Sequence, residues 1–140
     1  MVGSEYNICM TSIPSGFFDN EHSGPNIYIE KRPWGKFERF TLNEISTVKI
    51  ITINGGEELS VQRHKNRREF WRVIGGGGRA LVGSEDFEAN PGGEFFIPVG
   101  VLHSMKGGVG GITILEIAFG DFDENDIERI SDKYEREKNT

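Results

Sequence analysis

The 140-residue chain has little cysteine, no long apolar run and no excess of positive charge. Its one cysteine, Cys9, cannot form a disulfide within the chain, which favours a reducing compartment. No stretch approaches the ~18 apolar residues of a membrane helix, and the first residues lack the basic and apolar regions of a signal peptide. A formal net charge of −6 argues against a nucleic-acid surface. We therefore predict a cytoplasmic protein that binds neither membranes nor nucleic acids.

Glycine, in contrast, is abundant. Nineteen glycines and ten phenylalanines indicate tight turns between strands rather than a helical bundle. The length suits one domain with its own core, which we place at residues 26–120. Residues 1–25 are predicted to be an irregular N-terminal extension. Residues 121–140, with eight acids and four bases, are predicted to be a C-terminal helix and tail.

Short β-rich segments follow one another along the middle of the chain. They are separated by turn-forming residues, as at 32–35, 54–56 and 90–93. The four glycines at 75–78 lack the Lys-Ser/Thr ending of a phosphate loop, so we predict a turn there. This pattern is typical of an all-β sandwich or barrel. The predicted strands are 26–31, 36–41, 46–53, 57–64, 68–74, 79–83, 86–89, 94–97 and 112–118.

The end of the chain has a different pattern. Ile127, Ile130 and Tyr134 form an apolar stripe at helical spacing, and Asp123 is placed to cap its start. The spacing predicts an α-helix over residues 124–137.

Two histidines 39 residues apart lie in segments that can converge inside a barrel. In residues 57–64, Ser60, Gln62 and His64 share one face of a strand, which either lines the lumen or faces water. His103 follows a Pro-x-Gly bend that aims its ring inwards. Ligands from neighbouring strands meet in this way at metal sites of closed β-barrels.

These residues resemble the two motifs of the cupin family. Asn66 stands where the first motif has its second histidine, and His64 falls one or two residues late. The other matching positions are Gly56, Glu69 and Gly76 in the first motif and Gly92, Pro98, Gly100 and His103 in the second. The resemblance implies a double-stranded β-helix, or jelly-roll barrel.

A closer resemblance is to the C-terminal cupin domain of type II mannose-6-phosphate isomerases, usually fused to mannose-1-phosphate guanylyltransferase. It covers about residues 26–137, while no segment resembles the Gly-rich nucleotide loop of the guanylyltransferase. The matching residues are Arg-Pro-Trp-Gly at 32–35, then Gln62, His64, Arg67, Glu69 and Trp71, and finally Asp126, Ile127, Arg129, Asp132 and Tyr134.

This resemblance implies a metal-assisted interconversion of mannose 6-phosphate and fructose 6-phosphate by a homodimer. One divalent metal is expected, zinc first, with manganese, iron, cobalt or nickel as alternatives. Its ligands would be His64, Asn66, Glu69 and His103, although the neutral oxygen of asparagine is a poorer ligand than imidazole. The candidate catalytic residues are Arg67, Glu69 and Glu116, but the proton-transfer base stays open, since Glu69 is available only if no metal occupies it and the direction of Glu116 depends on the strand register. The candidate substrate-binding residues are Gln62, Arg63, Lys65 and Trp71.

Five basic residues between 63 and 72 interrupt an otherwise acidic chain: Arg63, Lys65, Arg67, Arg68 and Arg72. Such a cluster would attract a sugar phosphate. Strand alternation, however, gives residues 63, 65 and 67 the opposite parity to His64. The alternative is therefore an exposed basic face that pairs with acids elsewhere.

Two other functions are compatible with the sequence. Asn66 favours a degenerate cupin that has lost its metal and binds sugar phosphates or nucleotide sugars without chemistry. Cupins also host many unrelated reactions, so an iron-dependent dioxygenase or a metal-free sugar-nucleotide isomerase is a further alternative.

Overall fold

The computed structural model describes residues 27–136, which form nine β-strands and no helix. The predicted all-β class is confirmed. The strands are β1 (Tyr28–Arg32), β2 (Gly35–Arg39), β3 (Ser46–Ile53), β4 (Val61–Arg63), β5 (Arg68–Val82), β6 (Glu85–Ala89), β7 (Glu94–Ile97), β8 (His103–Phe119) and β9 (Glu128–Ser131).

Two long strands, β5 and β8, run antiparallel through the centre of the fold and take part in two sheets. The first half of β5 pairs with the second half of β8, with β7 and β3 at the outer sides. The second half of β5 pairs with the first half of β8, and this sheet has the order β6-β5-β8-β4-β9. The two sheets therefore enclose a common interior.

Glycines allow β5 to pass from one sheet to the other. The predicted turn at 75–78 is wrong, because these residues lie within β5, at two register shifts against β8. Gly76 has φ of 70°, and Gly78 lies against the backbone carbonyl of Lys106. Glycine tolerates both the positive φ at position 76 and the close backbone approach at position 78. The four glycines therefore mark a bend within one strand rather than a turn between two strands.

Gly78→Ala is expected to lower the free energy of unfolding by about 2–3 kcal/mol, because the new Cβ would overlap the Lys106 carbonyl oxygen. Gly110→Ala is the matched control, since no atom lies within 4 Å of the position of its Cβ. Urea unfolding of both variants measures the effect. Equal midpoints for the two variants would contradict this account of the bend.

Alternation along β5 separates two clusters of buried apolar residues. Trp71 and Val73 face the interior between the sheets, together with Phe95, Met105 and Ile114. Phe70 faces outwards, where Ile117, Phe119 and Ile27 complete a second cluster against Ile29 and Phe40 of the β1–β2 region. The antiparallel pair β1–β2 therefore covers the outer face of the first sheet. The space between the two sheets holds the main apolar core and a cavity.

The predicted C-terminal helix is wrong. Within residues 124–136 the only regular element is β9, which pairs with β4 through Gln62↔Arg129 and Arg63↔Glu128. The Tyr134 hydroxyl also donates to Glu57, which holds the segment against the barrel. Pairing with the open side of β4 satisfies backbone groups that a helix would satisfy internally, and here that tertiary pairing outweighs the apolar spacing.

Other predictions differ in their limits. The strand predicted at 57–64 is reduced to β4, with one isolated bridge between Glu58 and Lys106. The strand predicted at 112–118 extends back to His103. The predicted extension at 1–25 lies outside the described residues. No helix in the described part of the chain is long and apolar enough to cross a membrane.

Candidate metal centre and cavity

Two rows of side chains face each other across the interior. In the second sheet, the register aligns His103 of β8 with Gln62 of β4, and Gln62 with Arg129 of β9. In the first sheet, it aligns Trp71 of β5 with Glu116 of β8, and Glu116 with Lys49 of β3. All six residues line one cavity of about 260 Å³. Each row thus runs from a buried aromatic or imidazole ring to a cation at the outer strand.

A compact cluster of His64, Glu69 and His103 lies beside this cavity, and Glu69 and His103 line it. The three residues are 1–3 % exposed, and their potential ligand atoms all lie within 4.8 Å of one another. The Nε2 atom of His64 is 3.1 Å from Oε1 of Glu69, and Nε2 of His103 is 3.5 Å from Oε2. The structure therefore brings three of the four predicted metal ligands together.

The hydrogen bonds of the two imidazoles fix their tautomers. Nδ1 of His64 is 2.6 Å from the Asp126 carbonyl oxygen, and Nδ1 of His103 is 2.9 Å from the Val101 carbonyl oxygen. A carbonyl can only accept, so both Nδ1 atoms carry the proton. A metal binds neutral imidazoles, and in that state both Nε2 lone pairs point towards the Glu69 carboxylate. Two such nitrogens and one carboxylate around a common point suit a borderline divalent metal such as zinc.

The carboxylate of Glu69 is held in its ionised form. Burial alone would raise its pKa, but hydrogen bonds and charge from His103 and His64 outweigh burial and keep the pKa well below its ordinary value. An anionic ligand is therefore available to a cation at neutral pH.

Glu116 is a second buried acid, next to this cluster. Burial, followed by the charge of Glu69, raises the pKa of Glu116 to about 7. The indole Nε1 of Trp71 donates to Glu116 Oε2 at 2.9 Å, and the same indole packs edge-on against the His103 ring. Trp71 thus fixes the orientation of both the acid and the imidazole.

Arg67 places a positive charge directly on the ligand cluster. Its Nε donates to Glu69 Oε1 at 2.9 Å, and its Nη2 is 3.4 Å from His64 Nε2. The guanidinium also stacks over the Phe122 ring and donates to the Asp123 carbonyl oxygen. Arg67 is 6 % exposed. It therefore contacts two of the atoms that would ligate a metal.

Asp126 connects the C-terminal segment to the turn at Lys65 and Asn66, between β4 and β5. Its carboxylate accepts from the backbone N–H groups of Lys65 and Asn66 at 2.8 and 2.9 Å, while its carbonyl accepts from His64. Burial would raise the pKa of Asp126, but these backbone hydrogen bonds lower it below the ordinary value. One residue thus orients the imidazole and holds the turn that follows it.

Asn66 does not join the cluster. It is exposed, unlike the buried His64, Glu69 and His103. The turn that Asp126 holds presents the side chain of position 66 to solvent, so the structure gives no support to Asn66 as the fourth ligand. Arg67, one residue later, lies against the cluster instead.

The predicted substrate-binding residues are divided between the inside and the outside of the barrel. Gln62 and Trp71 line the cavity, as do the predicted catalytic residues Glu69, Arg67 and Glu116. Arg63 does not line it and instead forms a two-pronged ion pair with Glu128. Lys65 is exposed. The basic run is mostly paired, since Arg68 contacts Glu44 and Arg72 contacts Glu38.

The cavity contains polar residues that sequence reasoning missed. They are Lys49, Glu124 and Arg136, together with Arg129, which matches the family pattern but was given no role in the site. Arg129 belongs to the predicted C-terminal helix, and Lys49 is the one charged residue of β3. A single charged residue in a strand rich in β-branched residues is a signal from which Lys49 could have been predicted as a site residue. Arg129 could not have been predicted in this way, because its place in the cavity depends on the pairing of β4 with β9.

The comparison with known families decides where the chain belongs. The profile described as "Mannose-6-phosphate isomerase C-terminal" matches residues 20–132. The chain belongs to this family. Its curated relatives include the mannose-1-phosphate guanylyltransferase ManC of Salmonella typhimurium, 35% identical over 107 residues. That match covers 75% of this chain and 22% of the relative, so this family member spans less than a quarter of ManC.

Solved structures confirm the cupin fold. A cupin protein from Bacteroides fragilis matches with a TM-score of 0.51 and 20% identity, over 56% of this chain and 68% of that one. A putative sugar phosphate isomerase from Acidithiobacillus ferrooxidans matches with a TM-score of 0.51 and 22% identity, over 56% of this chain and 51% of that one. At these identities the likeness concerns the fold alone.

Proposed function

We propose that this protein is a metal-assisted sugar-phosphate isomerase that interconverts mannose 6-phosphate and fructose 6-phosphate. The observation that carries the proposal is the buried His64–Glu69–His103 cluster beside a polar cavity, with a separate carboxyl group, Glu116, next to it. Membership of the family named for this isomerase supports the substrate class.

The reaction moves one proton from C2 to C1 of the open-chain sugar and a second proton from the C2 oxygen to the C1 oxygen, so that the aldehyde becomes an alcohol and the C2 alcohol becomes a ketone. A divalent metal held by His64, Glu69 and His103 would supply polarisation of the substrate carbonyl. Glu116 lies in the cavity outside this ligand set, where it accepts the proton from one carbon and returns it to the next. The indole N–H of Trp71 holds one Glu116 oxygen and so fixes the direction of the carboxyl group. Gln62 offers an amide to a sugar hydroxyl.

The size of the cavity favours a small substrate. At about 260 Å³, it lies below the about 300–1,000 Å³ of sites that enclose drug-sized ligands. A hexose phosphate belongs to this smaller class, whereas a nucleotide sugar would have to extend into solvent. We therefore prefer the sugar phosphate over the nucleotide sugar.

A coupled assay of mannose 6-phosphate turnover with manganese, cobalt or zinc tests the function. Glu116→Gln is expected to reduce kcat by at least about 100-fold and to leave metal content unchanged, because it removes the base but no ligand. Glu124→Gln, at an exposed acid on the cavity rim, is the matched control and should keep kcat. Metal bound at one per chain with no turnover by the unmodified protein would overturn the proposal.

One observation favours the second candidate, a cupin that binds sugar phosphates without chemistry. Arg67 already neutralises Glu69, so the cluster can persist without a metal. Stabilisation of the protein by mannose 6-phosphate, with no product after metal addition, would support this candidate over the isomerase.

We further propose a homodimer in the cytoplasm. The single cysteine is consistent with a reducing compartment. Exposed apolar residues on and beside β3, including Ile45, Val48 and Ile50, are suited to a second copy of the chain. A light-scattering mass of one chain would contradict the dimer.

A further inference from the structure

We propose that Lys49 and Arg129 form the phosphate-binding end of the cavity. The site would then select a sugar monophosphate whose phosphate lies at the far end of the carbon chain from the reacting carbonyl. This inference rests on the proposed isomerase function and assigns the part of the substrate that the metal cluster does not hold.

The strand register places each of the two cations on the outer strand of its row. Lys49 ends the row Trp71–Glu116–Lys49, and Arg129 ends the facing row His103–Gln62–Arg129. Both outer residues line the same cavity as the inner ones. Two positive side chains from opposite sheets therefore line one cavity, and we expect a dianion bound between them to contact both.

The distance along each row matches a sugar phosphate. His103 and Arg129 are separated by two strand spacings, as are Trp71 and Lys49, which is about 10 Å between backbones. An open-chain hexose with a terminal phosphate is of comparable length. A carbonyl at the metal cluster would thus direct the phosphate towards the two cations, while an unphosphorylated sugar would leave them without a ligand.

The two contacts of the Lys49 ammonium group, with the Phe122 ring at 4.3 Å and with the Glu124 carboxylate, leave it available to an anion. Its Nζ lies 2.7 Å from Glu124 Oε1, but the Glu124 side chain is 74% exposed. Ion pairs this exposed contribute little to stability, so a phosphate can replace Glu124 at little cost. By the same reasoning, Glu124 competes with the ligand, and its removal should favour phosphate binding.

An independent observation points to a polar ligand in this cavity. Ser60 is 2% exposed and lines the cavity, and its Oγ has no hydrogen-bond partner among the described residues. A buried hydroxyl without a partner is costly unless something in the cavity supplies one. A sugar hydroxyl or phosphate oxygen satisfies it.

The test compares Lys49→Met and Arg129→Met with Arg79→Met, an exposed arginine paired with Asp86 on the β5–β6 hairpin. With mannose 6-phosphate, KM is expected to rise about 10-fold or more in the first two variants and to stay unchanged in the third, with kcat little affected. Glu124→Gln should lower KM. Thermal stabilisation by mannose 6-phosphate and by inorganic phosphate, measured on the same proteins, reports binding without turnover.

The outcomes separate the two proposals. If the unmodified protein turns over the substrate and both methionine variants keep its KM, the phosphate assignment is wrong and the isomerase stands. If no protein shows turnover, but phosphate stabilises the unmodified chain and neither methionine variant, the isomerase fails and the assignment stands. Equal stabilisation of all variants by phosphate, or none in any, overturns the assignment in either case.

Discussion

Replacing His103 with alanine is expected to weaken binding of a divalent metal by at least about 100-fold and to abolish isomerase turnover. Loss of an outer partner of a ligand already costs about 10–100-fold, and His103 is placed as a direct ligand. The remaining pair, His64 and Glu69, leaves too few protein ligands for a tightly held ion. Competition with a chromophoric chelator measures the affinity, and the coupled assay measures turnover.

Ser104→Ala is the matched control for this variant. Ser104 is the next residue of β8, and its hydroxyl donates to the Leu59 carbonyl oxygen outside the ligand cluster. Its removal should cost about 1 kcal/mol of stability and leave metal affinity unchanged. Equal metal affinity in His103→Ala and the unmodified protein would show that the ion, if bound, lies elsewhere.

The all-β class and the cluster of His64, Glu69 and His103 could be predicted from the sequence because both depend on local patterns. Alternation placed Glu69, Trp71 and Val73 on one face, and the structure has all three facing the interior or the cavity. Likewise, Pro98 and Gly100 predicted the bend before His103. Such patterns persist because a strand fixes side-chain direction with a period of two.

The errors arose where distant segments meet. The apolar spacing at 127, 130 and 134 predicted a helix because nothing local shows that β4 has an open side for residues 128–131. The same pairing brings Arg129 into the cavity. Parity put Asn66 on the same face as His64 and Arg67 on the opposite face, and the structure reverses both, because the turn after His64 is held by Asp126, about sixty residues later. Contacts of this range leave no periodic signal in the chain.

Replacing Arg67 with methionine is expected to strengthen metal binding by about 10–100-fold while destabilising the metal-free protein. The guanidinium occupies Glu69 Oε1 and approaches His64 Nε2, the atoms a metal requires. Two cations on one carboxylate repel by several kcal/mol even at an effective dielectric constant of about 20. Without metal, however, the variant leaves Glu69 buried with less compensating charge, which costs about 3 kcal/mol.

Arg67→Met is thus expected to bind metal more tightly and to be less stable without it. Metal addition should therefore raise the unfolding temperature of Arg67→Met by more than that of the unmodified protein. Arg67→Lys keeps a positive charge at this position and should retain the weaker metal affinity. Thermal unfolding with and without metal, together with the chelator titration, measures both quantities. If Arg67→Met instead loses metal as His103→Ala does, Arg67 supports the ligand set rather than competing for it. Such a result would contradict competition between the Arg67 guanidinium and the metal for Glu69 and His64.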